Sequence, residues 1–235
     1  MNTDKLSARL ATVASYVSEG LRIADIGSDH AYLPCHLVKK GVVPFAIAGE
    51  VAEGPYQSAR KQVRLEGLSE QIIVRKGDGL EVVQPGEVDC ITIAGMGGAL
   101  IANILEAGKD KLKNVKKLVL QPNVGASAIR EWLIENNWKL TAENILKEDG
   151  KIYEVLVAEI GNPEEPYGNR HELEILFGPY LLKEKNEAFK EKWGLEKQNW
   201  ERILNQLEKA DLNEATQSKK TEVIEKIKMA EEVLS

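Results

Sequence analysis

Five short apolar runs alternate with helical stretches along the first half of the chain, and this alternation restricts the fold more than any other feature of the sequence. Leu21 to Ile26, Phe45 to Glu50, Ile72 to Lys76, Cys90 to Ala94 and Leu118 to Gln121 read as strands, with about four helical crossovers between them. Runs that are apolar nearly throughout are buried on both faces, so these strands belong to a parallel sheet with helices on each side. In such a sheet the ligand crevice lies beyond the carboxyl ends of the strands.

The flanking segments have clear signals of their own. Leu6, Leu10, Val13, Ala14 and Val17 recur at helical spacing before Gly20, which predicts a leading amphipathic helix packed on the domain behind it. After a helix over 126–136, the segments Lys139 to Leu146 and Lys151 to Ile160 flank Asp149-Gly150, a pair that accepts positive φ and so predicts an antiparallel hairpin. Gly161 to Gly168 has linker composition, and Asn169 with Glu172 is spaced as a capping box opening a helical tail. In that tail Phe189, Trp193, Trp200, Ile203 and Leu207 follow a seven-residue period, as do Val223, Ile227, Ala230 and Leu234. Two long helices packed as an antiparallel coiled-coil hairpin are expected. The division is therefore a main domain over 1–160, a linker over 161–168 and a helical domain over 169–235.

Composition excludes several classes. With 235 residues, 43% of them hydrophobic, the chain can bury one substantial core plus an extension. Its net charge of −6 means that nucleic acid has to be bound through a local basic face and not by bulk attraction. The tail does not supply one: from Asn169 onward it carries 12 Lys/Arg against 14 Asp/Glu, the balance of solvated helix faces. Cys35 and Cys90 stand in no metal-ligand or redox spacing, so free thiols in a reducing compartment are expected, with no metal site. The start, Met1-Asn-Thr-Asp-Lys, lacks a signal-peptide pattern and no run reaches the length of a membrane span, which predicts a soluble, cytoplasmic protein with no membrane partner.

The strand ends carry the chemistry. Leu21-Arg-Ile-Ala-Asp25-Ile-Gly27-Ser28-Asp29-His30-Ala31 runs an apolar strand into a turn, and its glycine allows both positive φ and close approach of a ligand to bare backbone. Glu50 closes the second strand 25 residues after Asp25, where dinucleotide folds place an acid against ribose hydroxyls. Asp78 follows the third strand in Lys76-Gly77-Asp78-Gly79, a turn in which a carboxylate can accept from the exocyclic amine of adenine. The fourth strand leads to Ala94-Gly95-Met96-Gly97-Gly98, read as a glycine-rich loop of open backbone beside the same crevice. A single acid in a turn is ordinarily a cap. Four strand ends in order describe a site for an adenosyl group. Asp29 and Ala31 stand where the general G-x-G-x-G loop has its second and third glycines, and their absence speaks against the pyrophosphate site of a nicotinamide enzyme.

These motifs resemble the class I S-adenosylmethionine-dependent methyltransferases, over roughly residues 1–160. More narrowly, Asp25-Ile-Gly-Ser-Asp-His-Ala-Tyr-Leu-Pro34, Ile93-Ala-Gly-Met-Gly-Gly98 and Leu120-Gln-Pro-Asn123, with the helical tail, look like the bacterial tRNA (adenine(22)-N(1))-methyltransferases of the TrmK family. The resemblance implies a Rossmann-like α/β sheet of seven strands with a C-terminal helical coiled-coil hairpin, S-adenosylmethionine as cofactor and tRNA as partner; a monomer is expected, although no residue pattern reveals the oligomeric state. It further implies that Asp25 and Gly27 border the methionine moiety with Ser28 and His30 on the same loop, that Glu50 holds the ribose, that Val51 packs on the adenine, and that Asp78 with Gly79 reads its amine. Ala94 and Gly95 complete the cofactor side.

N1 of adenine is a neutral nucleophile, so no base has to remove a proton before the methyl transfers, but the product is a cation. A carboxylate able to orient the amine and stabilise that charge is expected, and Asp29 is the candidate; the alternative is a loop cap. N1 lies on the Watson-Crick edge, so the target base must be extruded into a pocket. Tyr32, Met96 and Asn123 are candidates for holding it, and Tyr32 reads equally as a helix-packing residue. His36 reads as structural. For RNA contact the chain offers Arg60, Lys61 and Arg64 on one helix and Arg9 on the leading helix, which can cover the cofactor pocket; Lys39, Lys40 and Lys5 are further cations. Two alternatives remain at this point: a methyltransferase of another RNA or a small molecule, and a non-catalytic RNA-binding or interaction protein on the same fold.

Overall fold

The computed structural model describes residues 2–209 and 213–235. Seven strands form one sheet in the order β3-β2-β1-β4-β5-β7-β6. They are β1 (Ile23–Ile26), β2 (Ala46–Glu50), β3 (Ile72–Lys76), β4 (Cys90–Gly97), β5 (Lys117–Val124), β6 (Trp138–Glu148) and β7 (Lys151–Ile160). The first five pair in parallel, and β7 runs antiparallel to both β5 and β6. The predicted hairpin turn is present, with Asp149 at φ 49° and Gly150 at φ 75°.

Side chains of a strand alternate between faces, and in β1 and β2 both faces are dry. Ala24 and Ile26 of β1 join one core with Ile91, Ile93, Leu118 and Leu120, under α4 (Gly98–Ala107) and α5 (Ala126–Glu135). Ile23 joins the other core with Ala46, Ala48, Cys90 and Val119, against α1 (Ala8–Ser15), α2 (Tyr32–Lys39) and α3 (Glu53–Leu65). The sequence led to four helical crossovers, but the link from β3 to β4 contains only a 3₁₀ turn, Gly79–Val82. Gln84-Pro85-Gly86 follows one residue after that turn and leaves no room for an α-helix.

Two turns that build the crevice touch at Gly98. A Cβ there would collide with the Gly125 carbonyl oxygen, whose backbone cannot yield as a side chain could. Gly98→Ala is expected to cost about 2–3 kcal/mol in denaturant unfolding, because the methyl forces apart the starts of α4 and α5.

The tail comprises α6 (His171–Phe177), α7 (Leu181–Glu184), α8 (Glu187–Leu207) and α9 (Glu214–Leu234). Ion pairs Lys197–Glu231 at 3.0 Å and Lys220–Glu208 at 3.7 Å fix α8 and α9 as antiparallel neighbours. The capping box expected from Asn169 and Glu172 is absent: Arg170 holds the cap position without a side-chain bond, and the Glu174 carboxylate accepts instead from the Gly168 N–H at 2.7 Å. Two residues beyond Glu172, Glu174 reaches back past the cap to the Gly168 N–H.

The tail shares its core with the sheet. Ile145 of β6 packs with Leu173, Phe177, Phe189 and Trp193, the Phe177 and Trp193 rings lying 4.3 Å apart. Beside this cluster Arg130 of α5 is completely buried between Glu143 of β6 and Glu154 of β7. Its Nε donates to Glu143 at 2.7 Å, one terminal nitrogen donates to Glu154 at 2.6 Å, and the other donates to the Ile175 carbonyl at 3.0 Å. Lys192 of α8 closes the set on Glu154, so two cations face two carboxylates.

Candidate active site

Asp25 sits at the end of β1, and burial pushes its carboxyl above the usual range. Two hydroxyls hold it in place: Thr92 Oγ1 donates to one oxygen at 2.7 Å and Ser28 Oγ to the other at 2.5 Å. Asp25 therefore acts by organising the turn after β1. Gly27 makes that turn at φ +69°, and the Met96 methyl occupies the space that a Cβ at Gly27 would need. Three non-glycine residues then adopt left-handed backbone in succession, Asp29 at φ 40°, His30 at 67° and Ala31 at 55°. Each is strained by about 1 kcal/mol or more, the kind of local cost that surrounding structure sustains at functional sites. Glu50 sustains it here, accepting the Asp29 N–H at 2.6 Å.

Glu50 is 5% exposed, and burial raises its carboxyl above the ordinary glutamate value. One oxygen is taken by the Asp29 N–H; the other has no protein hydrogen bond among the described residues. Val51, immediately beyond, is 63% exposed. An open carboxylate oxygen beside an uncovered apolar side chain fits a ribose edge and the face of its base. Glu50→Ala is expected to weaken S-adenosylmethionine binding about 10- to 100-fold in calorimetric titration, from loss of a hydrogen bond to a charged group and of the restraint on Asp29. Asp78 and Gly79 open the 3₁₀ turn, where the Asp78 N–H donates to Glu81, and they line a separate hollow of about 330 Å³ with Leu100, Asn103 and Ile104.

The pocket nearest the turn is about 280 Å³ and gathers Asp25, Gly27, Ser28, Asp29, Ala94, Gly95, Met96 and Asn123. Arg9 and Leu10 of α1 form one wall, so the leading helix does cover it, and Tyr153 of β7 forms another. The segment after the fourth strand differs from the open loop expected. Strand β4 continues to Gly97, with register shifts around Met96. The Gly95 N–H donates to Gln121 Oε1 at 3.0 Å, and its carbonyl accepts from Asn123 Nδ2 at 2.8 Å, so side chains of β5 satisfy the backbone that was read as free.

Other candidates lie outside this pocket. Tyr32 begins α2 and stacks on His30 at 5.3 Å, with the His30 side chain 46% exposed. Arg60, Lys61 and Arg64 occupy the exposed face of α3, and none lines the pocket. Lys39 is engaged by Asp4 and Glu66, both at 2.7 Å, and His36 Nδ1 lies 2.8 Å from the Thr3 carbonyl, a structural contact as expected.

A family model described as TrmK: tRNA (adenine(22)-N(1))-methyltransferase matches residues 23–232. The chain is 52% identical over 235 residues to the tRNA (adenine(22)-N(1))-methyltransferase of Bacillus subtilis (strain 168), covering all of this chain and 99% of that protein. It belongs to the TrmK family. The crystal structure of the B. subtilis m1A22 tRNA methyltransferase TrmK superposes with a TM-score of 0.95 at 51% identity, covering 99% of this chain and all of the other. Streptococcus pneumoniae Sp1610 in complex with S-adenosyl-L-methionine superposes with a TM-score of 0.87 at 44% identity, over 98% of this chain and all of that one.

The geometry of this TrmK chain adds residues to which sequence reasoning assigned no role. Gln121 is fully buried, accepting from Arg9 and Gly95 and donating to the Pro122 carbonyl at 2.8 Å. Tyr153 lies under the Arg9 guanidinium at 5.3 Å. Thr92, which fixes Asp25, was visible as a hydroxyl inside an apolar strand, and that was its only signal. Among the described residues no helix is long and apolar enough to cross a membrane, and no cluster of three or more His, Cys, Asp or Glu is placed to hold a metal ion.

Proposed function

We propose that this chain transfers the methyl group of S-adenosylmethionine to N1 of adenine 22 in tRNA, acting as a monomer in the cytoplasm. The observation that carries the reading is the full-length likeness to the B. subtilis enzyme, joined to Asp25, Glu50 and Asp78 at or just beyond the ends of the neighbouring strands β1, β2 and β3. When bound, the cofactor supplies an electrophilic methyl on a sulfonium. Glu50 holds the ribose, Val51 flanks the adenine, Asp78 and Gly79 meet its amine, and the Gly27 turn with Ser28, His30, Ala94 and Gly95 borders the methionine end.

The target adenine arrives with N1 already unprotonated, so the protein has only to orient it and stabilise the growing positive charge. Asp29 does this from the pocket rim. Met96 and Asn123 border the base, Tyr32 braces the Asp29-His30 turn through its stack, and Arg9 sets the other wall. Arg60, Lys61 and Arg64 contact the tRNA body. In this reading residues 1–160 form the catalytic unit, 161–168 the link and 169–235 the helical unit.

The test is methyl transfer from labelled S-adenosylmethionine into unmodified bacterial tRNA, with the nucleoside identified by mass spectrometry. Labelled 1-methyladenosine at position 22 is expected. Cofactor binding without incorporation into tRNA would move the substrate to another RNA or a small molecule.

A further inference from the structure

A larger hollow, of about 690 Å³, adjoins the methyl-transfer pocket and shares Asn123 and Tyr153 with it. It lies where the tail meets the sheet: Val124 comes from β5, Lys151 from β7, and Trp193, Leu195 and Trp200 from α8. Val124 and Leu195 are 71% and 55% exposed, an unusual state for two large aliphatic side chains facing one cleft. Trp193 is 4% exposed, and its Nε1–H has no hydrogen-bond partner among the described residues. The charges of the lining cancel, Lys192 being paired with Glu154 and Lys151 being matched in number by Glu196. The hollow is thus partly aromatic and neutral.

We propose that this cleft receives an unpaired nucleobase of the tRNA adjacent to the target adenine. The inference rests on the reading of the chain as a tRNA methyltransferase. To expose N1, the target base must leave its stack, and its neighbour then loses a stacking face. An indole such as Trp200 replaces that face, and base-aromatic stacking of this kind tolerates any base. A phosphate-binding groove would need an excess of cations, whereas the neutral wall here suits the uncharged face of a base. Continuity between the hollows supplies the path: an RNA strand crossing Asn123 and Tyr153 seats one base in each.

The test compares the full-length protein with Leu195→Glu and Trp200→Leu, using unmodified tRNA as substrate and measuring KM for tRNA beside the dissociation constant of S-adenosylmethionine. Each substitution is expected to raise the tRNA KM about ten-fold or more while cofactor binding stays unchanged. Leu195 is exposed, so its variant reports on the cleft even if the Trp200 variant disturbs the packing against Trp193. An unchanged tRNA KM in Leu195→Glu overturns the proposal and leaves the cleft to a protein partner. If the unsubstituted chain fails to methylate tRNA at all, it is the reading of its function that falls.

Discussion

An Arg130→Leu chain is expected to lose about 3–5 kcal/mol of unfolding free energy and roughly 10 °C in Tm. Arg130 is fully buried and is bonded to Glu143, Glu154 and the Ile175 carbonyl. Leucine approximates part of its volume but strands a carboxylate on Glu143 whose remaining donor is the Tyr180 N–H at 3.0 Å. Burial already pushes Glu143 above the ordinary glutamate range, so without the arginine it loses the main group that favours its charged form. Glu154 keeps Lys192, which is why the damage falls mainly on Glu143. Urea unfolding monitored by circular dichroism measures the loss. The triple variant Arg130→Met, Glu143→Leu and Glu154→Leu should recover most of it, because replacing a buried ionic set entirely by apolar groups costs far less than breaking it. A single-variant loss under about 1 kcal/mol would show that the cluster is not the joint between tail and sheet.

That joint explains why some of the architecture was legible in the sequence and some was not. Periodicity reports which face of an element is buried. It gave β3 with its bounds, the Asp149-Gly150 hairpin and the two long helices of the tail, since each depends on residues near one another in the chain. It does not report what lies across the interface. Arg130, Glu143 and Glu154 each look like a charge on an amphipathic element, and only the β5-β7-β6 order and the return of the tail bring them together.

The same limit applies at the candidate site. Asp25, Glu50 and Asp78 stand out as candidates because each lies at or just beyond the end of a strand, and a parallel sheet gathers its carboxyl ends on one side. Gln121 also ends an apolar run, but its role depends on facing Gly95 of β4 and Arg9 of α1, more than twenty residues away in sequence on either count. The loop expected at Ala94 to Gly97 proved to be strand for this reason: glycines signal backbone freedom, and the amide and carbonyl of Gly95 are used by β5 side chains that no local pattern announces. Tyr153, similarly, is one aromatic residue in an alternating strand until Arg9 is placed over it.

Replacing Asp29 by alanine is expected to lower kcat for tRNA methylation about 100-fold or more, with S-adenosylmethionine affinity changed by only a few-fold. The side chain is 78% exposed and lines the pocket, while its backbone N–H, not its carboxylate, is bound by Glu50. A loop cap would have its carboxylate on nearby N–H groups; this one accepts from no backbone N–H among the described residues, lies 3.6 Å from the His30 ring and lines the pocket. In open water such a charge contributes little, but tRNA seated over the pocket lowers the local dielectric, and the interaction with a forming methyladenosinium then strengthens. Asp29→Asn separates the two ways in which the residue can act. The amide still accepts a hydrogen bond from the adenine amine and therefore preserves orientation, yet it carries no charge. If electrostatic stabilisation dominates, Asn is nearly as slow as Ala; if orientation dominates, Asn recovers most of the rate. Single-turnover measurements with saturating tRNA read the chemical step directly, and full activity in Asp29→Ala would return the residue to a purely conformational part in the left-handed turn it opens.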